Sequence, residues 1–291
     1  MQINNFTKKI FNNLSYPDSI VPVSTGSRFS PLTIARAMQQ LRSHIKENTL
    51  TKHQLSFLLK FNAVKSLQKN NNVCYTEDLK KTTQMFTSKT TISLKNSKTK
   101  ILSAFNITDV KWELPMVEIS GLFKSSEGII NDHFEMICNS IPEKCNYYED
   151  TDVKIVEKPF VGNMVMGIIL PKDNKHITLT NLDKYSLAFE KKYVKIEMPK
   201  FNNIFHAYGC SRPDSEPFVL GETLVYDSCK NKFAFSDVNF QKTFKDLGIV
   251  SIFHHDNYSE SEFIKNDEIV ENIEHQTFLN LDGKGLNITD S

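Results

Sequence analysis

Histidine and cysteine are the side chains with the widest chemical reach in this sequence, which holds eight of the first and five of the second. Their spacing argues against most of that chemistry. His254-His255-Asp256 is a dense run of metal-type ligands, but adjacent ligands seldom converge on one ion and no third partner stands at a suitable spacing, so it reads as a solvated turn. Cys74, Cys138, Cys145, Cys210 and Cys229 form no CxxC pair and are odd in number; neither a disulfide framework nor a zinc site is expected. A Cys210–Cys229 bridge is the competing reading for the stretch they flank, and a reducing cytosol favours two free thiols there. Ser30 precedes a helix and sits in no GxSxG elbow, so it reads as a cap rather than a nucleophile. With no Gly-rich phosphate loop, no HExxH and no paired carboxylates, the sequence predicts no enzyme, no metal and no cofactor.

The elements that must position these residues belong to a chain of 291 residues, enough for one large domain or two small ones. Hydrophobic residues make up 40% and charged residues 24%, which is enough apolar material for a packed core and argues against disorder. The 35 basic and 34 acidic residues leave a net charge of +1, which calls for neither a nucleic acid nor an anionic membrane as partner. Lysine dominates the basic set, and arginines such as Arg36 and Arg212 are rare, which lowers nucleic-acid recognition further. The opening MQINNFTKKIFNNLSYP lacks a continuous apolar core, so no signal peptide is expected. No apolar run approaches the ~20 residues of a membrane span. A cytoplasmic location follows, with the sequons at Asn106 and Asn287 unused. The richness in Lys, Asn and Ile fits an AT-rich genome.

Along the chain, Ile3, Phe6, Ile10, Phe11 and Leu14 form a helical stripe, and a short strand is expected over Ile20–Val23. Phe29–Leu41 reads as a helix capped by Ser30, with Pro31 at its first position. Thr51 opens another helix, TKHQLSFLLKF, with Leu55, Leu58 and Leu59 inward. A helix near Leu79–Phe86 and strands near Thr91–Leu94, Ile101–Trp112, Phe134–Cys138 and Val153–Phe160 follow. Met164–Pro171 is a continuous apolar run, expected as a strand buried on both faces. Tyr193–Phe201 alternates and reads as one half-buried strand, while residues 204–237 read as an irregular excursion with room for one hairpin. Phe240–Gly248 is a helix with a Gly stop, and His275–Gly285 a last strand running into a Gly-rich end. Strands and helices without βαβ alternation give an α+β class.

Seven of these segments, in this order, resemble the serpin family. FSPLTIARAMQQL resembles its second helix, and TKHQLSFLLKF its T-x-x-Q-L-x-x-x-L-x-F helix. ILSAFNITDVKWELPM is similar to the strand that closes in Lys-Trp-x-x-Pro-Phe, giving Lys111, Trp112 and Pro115. KPFVGNMVMGIILPKD, KIEMPKF and FKDLGIVSIF match further family segments. HQTFLNLDGKG resembles the strand that leads into the reactive-loop hinge. The resemblance implies one serpin-like domain over 1–291, a large antiparallel-rich sheet with helices packed on it, and poxvirus serpins as relatives. It also implies Ser30 and His275 as a latch that keeps the sheet closed, and Trp112 as a core anchor at the top of the sheet.

The family mechanism needs a small-residue hinge, a bait bond and a sheet that opens to admit the cut loop as a strand. Here Gly283, Gly285 and Leu286 are the remnant of the hinge; Gly285 fits its pattern, whereas Leu286 and Ile288 are too bulky for easy insertion. The sequence stops where the loop should begin, and the family's C-terminal strands have no counterpart. The stretch 68–100 is shorter than the family's, so helices covering the sheet are expected to be missing. Where the family has a sheet-stabilising Asn, this sequence has Ala104, with Asn106 nearby. Residues 204–237 are the expected insertion, with Phe205, Tyr208, Arg212, Phe218 and Tyr226 as a partner surface. A non-inhibitory viral scaffold that binds a host protease or immune factor is the expectation, with homo-oligomerisation through donated strands. The alternative is an inhibitor of serine or cysteine proteases whose reactive loop is completed elsewhere.

Overall fold

The structure, a computed structural model, describes residues 6–10, 30–59, 74–76, 88–95, 100–105, 110–124, 130–172, 188–210, 240–253 and 269–287. Three helices follow a helical turn at 6–10: α1 (Pro31–Ser43), α2 (Leu50–Leu58) and α3 (Phe240–Asp246). The strands are β1 (Cys74–Thr76), β2 (Ser88–Lys95), β3 (Lys100–Phe105), β4 (Val110–Lys111) and β5 (Val117–Lys124). They continue with β6 (Ile130–Cys138), β7 (Glu143–Glu149), β8 (Val153–Pro159), β9 (Val165–Pro171) and β10 (Glu190–Val194). Last come β11 (Glu197–Pro199), β12 (Phe201–Cys210), β13 (Ile269–Leu281) and β14 (Gly285–Asn287). The Ile20–Val23 strand and the Leu79–Phe86 helix fall outside the described residues, as do Asn106 and His254–Asp256.

The chain gathers into two compact units. The first holds residues 25–106 and 204–278 together with the N-terminal turn. Its strands run in the order β1-β3-β2-β13, all antiparallel, with β12 also paired to β13. α1 begins where Ser30, in extended geometry, accepts a hydrogen bond from the Thr33 amide, and Pro31 takes the position whose missing N–H costs nothing. α2 starts one residue before Thr51, because Thr49 caps it through the Lys52 amide; Thr51 lies buried in its first turn. Gly248 supplies the φ of +85° that stops α3. Phe6, Ile10, Ile34, Met38, Leu41, Leu55 and Phe244 from the helices meet Ile92, Leu94, Ile101 and Ile273 from the sheet in one core. Each large apolar side chain buried there stabilises the unit by about 1.5–3 kcal/mol.

The second unit holds residues 107–203 and 279–291. A four-stranded sheet runs β10-β7-β8-β9 and a three-stranded one β11-β6-β5. The Tyr193–Phe201 segment is two strands instead of one. β10 pairs with β7, β11 pairs with β6, and Asn139 fixes the step between them by accepting from the Ile196 amide and donating to the Val194 carbonyl. The Met164–Pro171 run is not buried on both faces: β9 is the last strand of its sheet, and Val165 and Leu170 stay 55% and 59% exposed. A continuous apolar run predicts burial on both faces, but nothing among the described residues pairs with its outer edge. Residues 204–210, the start of the expected irregular excursion with its one hairpin, continue strand β12.

Candidate functional site

Two clusters gather most of the described residues that the sequence singles out, one in each unit. In the first, His275 is fully buried on β13, directly opposite Thr90 of β2. Its Nε2 accepts a hydrogen bond from the Ser30 amide at 3.0 Å, so that nitrogen carries no proton. The neutral ring therefore holds its proton on Nδ1, 2.8 Å from Thr90 Oγ1. Thr90 in turn donates to Thr33 Oγ1 at 3.0 Å, and Thr33 donates to the Ser30 carbonyl at 3.2 Å. With the Thr33 proton committed, Ser88 Oγ must be the donor in its 3.1 Å contact with Thr33 Oγ1. The result is a closed, directional ring of hydrogen bonds that ties α1, β2 and β13 together. Burial of the imidazole pushes its pKa down to about 3, so the ring is neutral throughout the physiological range.

Ser30 thus meets His275 through its backbone amide, while its hydroxyl caps α1. Sequence reasoning missed Thr33, Ser88 and Thr90. The available signal was modest: Ser88 and Thr90 are hydroxyl residues two apart on a strand, so they face the same side. Ala104 is buried on β3, opposite Lys89.

The second cluster surrounds Trp112. Its ring stacks on Phe160 with centroids 4.1 Å apart and planes 7° from parallel, and its Nε1 donates to the Asp282 carbonyl at 2.9 Å. Lys158 is wholly buried beneath it, with Nζ 5.3 Å from the ring centroid. That ammonium pairs with Glu143 and donates to the Leu114 carbonyl, so a buried cation has both a counter-ion and a carbonyl. Cys138 and Cys145 are buried free thiols, and burial pushes the Cys145 thiol up. These are packing contacts with no reacting pair among them.

The hinge residues form a turn within this unit. Asp282 Oδ1 accepts from the amides of Lys284 and Gly285, reversing the chain so that β14 pairs with the end of β13 and with β4. The last strand therefore does not run on to Gly285; it ends at Leu281 and folds back. A Cβ on Gly283 would lie 2.5 Å from the Met116 carbonyl oxygen. One on Gly285, at φ +149°, would lie 2.1 Å from the Val110 oxygen. Only glycine fits either place. Leu286 is buried beside Trp112 and Leu281. Phe205 and Tyr208 lie on β12; Arg212, Phe218 and Tyr226 lie outside the described residues.

No family model matches the sequence. An uncharacterized serpin-like protein from Methanosarcina acetivorans is 38% identical over 105 residues, which is 33% of this chain and 24% of that protein. The match thus spans about a quarter of the relative's length. Among solved structures, reactive-loop-cleaved lamprey angiotensinogen superposes over 98% of this chain and 94% of its own, with TM-score 0.61 and 12% identity. Thyroxine-binding globulin aligns over 98% and 95%, with TM-score 0.62 and 12% identity. The cleaved viral serpin CrmA aligns over 96% and 97%, with TM-score 0.59 and 14% identity. Sharing that fold along nearly its whole length, the chain is serpin-like in fold, of the α+β class.

Proposed function

We propose that this chain is a non-inhibitory serpin-fold protein, a viral binding scaffold that modulates its host. The observation that carries the reading is the place of β2. Inhibition by this fold requires a cut loop to enter the sheet as a strand beside the one that precedes the hinge, here β13. A returning strand can join β13 only at an edge. Within the first unit, β2 holds one edge in antiparallel pairing that runs without a shift from Thr277↔Ser88 to Asn272↔Ser93 and resumes, after a bulge at Val270–Asn272, as far as Ile269↔Lys95. β12 holds the other. Admitting a loop would mean stripping out β2 together with the buried ring of His275, Thr90, Thr33 and Ser88.

The name of thyroxine-binding globulin supports carriage of a ligand by this scaffold, and the viral serpin neighbour supports the origin. Host cytoplasm is the place of action, and a host protease or immune factor the partner. Its contact surface is the 204–237 segment, with Phe205, Tyr208, Arg212, Phe218 and Tyr226. The deciding experiment incubates the protein with a panel of serine and cysteine proteases and reads a denaturing gel. No heat-stable adduct is expected with any of them; a covalent adduct would sink the reading and restore the inhibitor. Because residues 204–210 belong to β12, the partner surface is tested by substituting Arg212, Phe218 and Tyr226 together rather than by deletion. Partner capture should be lost while the melting transition stays in place.

A further inference from the structure

Where α1 gives way to α2, the first unit has a cleft of about 460 Å³, within the size range of small-molecule sites. The chain turns there at Glu47 and Asn48, and Asn48 adopts φ +62°, a conformation that asparagine tolerates better than most side chains. Every side chain lining the cleft is polar, unlike the usual mostly apolar pocket. A fatty chain or a purine base would therefore find no apolar wall to pack on.

The charges and hydroxyls of the lining are ordered. Arg42, half-buried in the last turn of α1, donates through Nη1 to Ser56 Oγ at 3.3 Å. No carboxylate pairs with it among the described residues, so most of its five N–H donors are left to water or a ligand. Lys52 is anchored on the α2 side: its ammonium donates to the Ile45 carbonyl at 3.1 Å and pairs with Glu47, whose side chain is 80% exposed. Two cations thus share the lining with one carboxylate. Ser43 Oγ donates to the Gln40 carbonyl and Ser56 Oγ to the Lys52 carbonyl, both at 2.6 Å. With those protons committed, the two hydroxyls act only as acceptors, and Ser56 already accepts from Arg42.

We propose that this cleft binds a small phosphorylated polyol, a compound of the sugar-phosphate class. Its phosphate meets Arg42, whose planar fork matches two phosphate oxygens at once, and the Lys52 ammonium adds a second charge. A bare phosphate would satisfy those donors and leave the acceptors idle. The hydroxyls of a polyol body donate to Ser43 Oγ, and exchange hydrogen bonds with the side-chain amides of Gln39 and Asn48. Such a body also suits the open side of the cleft, where Ser43, Asn48 and His53 are exposed to water. Glu47 neutralises one of the two cations, which sets the capacity of the site at one phosphate.

The test is isothermal titration calorimetry of the full chain with glucose 6-phosphate, ribose 5-phosphate, glucose and inorganic phosphate. Saturable binding of at least one sugar phosphate is expected. Glucose lacks the charge and inorganic phosphate lacks the hydroxyls, so each should bind at least roughly tenfold more weakly. Arg42→Gln should weaken the sugar phosphate by about tenfold or more, and Arg42→Lys by less, since it keeps the charge and loses the fork. Lys191→Gln removes one positive charge from an exposed position in the other unit and should leave binding unchanged. Circular dichroism of each variant should match the parent's; should the glutamine variant fail to fold, the lysine variant carries the comparison. The proposal is overturned if neither sugar phosphate binds at roughly 10 mM, or if glucose or inorganic phosphate binds as tightly. It is overturned as well if the Arg42 variants bind like the parent, or if Lys191→Gln weakens binding as much as they do.

Discussion

Acidification should loosen the first unit through one residue. His275 is neutral when folded, with its pKa pushed down to about 3, against an ordinary value of 6.5 once unfolded. The unfolded chain therefore takes up a proton as pH falls through 6.5, and the folded chain does not until about pH 3. The stabilising effect of keeping the ring neutral is complete above the unfolded value and is lost as pH falls towards the folded one. Linkage at about 1.4 kcal/mol per unit gives a loss of about 2 kcal/mol on going from about pH 7.5 to about pH 5. That figure hardly depends on the folded value, since the folded ring stays neutral across the whole interval. The structural cause is concrete: protonated Nε2 could no longer accept from the Ser30 amide, and two N–H groups would face each other in a buried site, while the Thr90 and Thr33 hydroxyls could keep their directions. The assay is urea unfolding at each pH, comparing the parent with His275→Gln, whose amide can still accept from Ser30 and donate to Thr90. The chain has eight histidines, so only the difference between the two slopes isolates this one. If both proteins lose stability equally between those pH values, His275 does not titrate as argued and the neutral-ring assignment fails.

Three other substitutions have definite outcomes. Thr90→Val removes the link between His275 and Thr33 and leaves buried Nδ1–H without its acceptor; a loss of about 1–3 kcal/mol is expected in denaturant unfolding. Lys158→Met strands Glu143 in the core and should cost about 3–5 kcal/mol, and adding Glu143→Leu should recover most of that, as a double-mutant cycle would register. Gly285→Ala forces a Cβ to 2.1 Å from a backbone oxygen at a positive φ, and should lower the melting midpoint far more than Lys284→Ala at the neighbouring exposed position.

Much of the first unit was legible because its signals are local. Ser30-Pro31 fixes the start of α1, and Gly248 the stop of α3, through backbone rules that hold wherever the chain goes. Collinear motifs then gave the fold as a resemblance. What failed was everything that depends on which strand lies next to which. A seven-residue apolar run looks the same in a sheet's centre and at a neutral edge, so β9 was placed inside. The alternation of Tyr193–Phe201 continues through the break, and only Asn139, more than fifty residues away in sequence, shows where the chain changes sheets. Gly283 and Gly285 match the family's hinge because a glycine has no side chain to hinder insertion into a sheet. The same absence of side chain also lets a tight turn press against Met116 and Val110, and here it does. In the buried ring, His275 and Ser30 came from resemblance, but the hydroxyls of β2 depend on a pairing between residues 88–95 and 269–277 that no local pattern encodes.

The packing of Trp112 has an optical consequence. It is the chain's only tryptophan, it belongs to the second unit, and its indole is shielded between Phe160 and the Lys158 ammonium. Its emission therefore reports the loosening of that unit, while among the described residues the helices α1, α2 and α3, which contribute to far-ultraviolet ellipticity, lie in the other. A single unlabelled sample can thus be followed in two colours during melting. Coincident curves would mean that the two halves unfold as one cooperative body, and separated curves would show which half yields first.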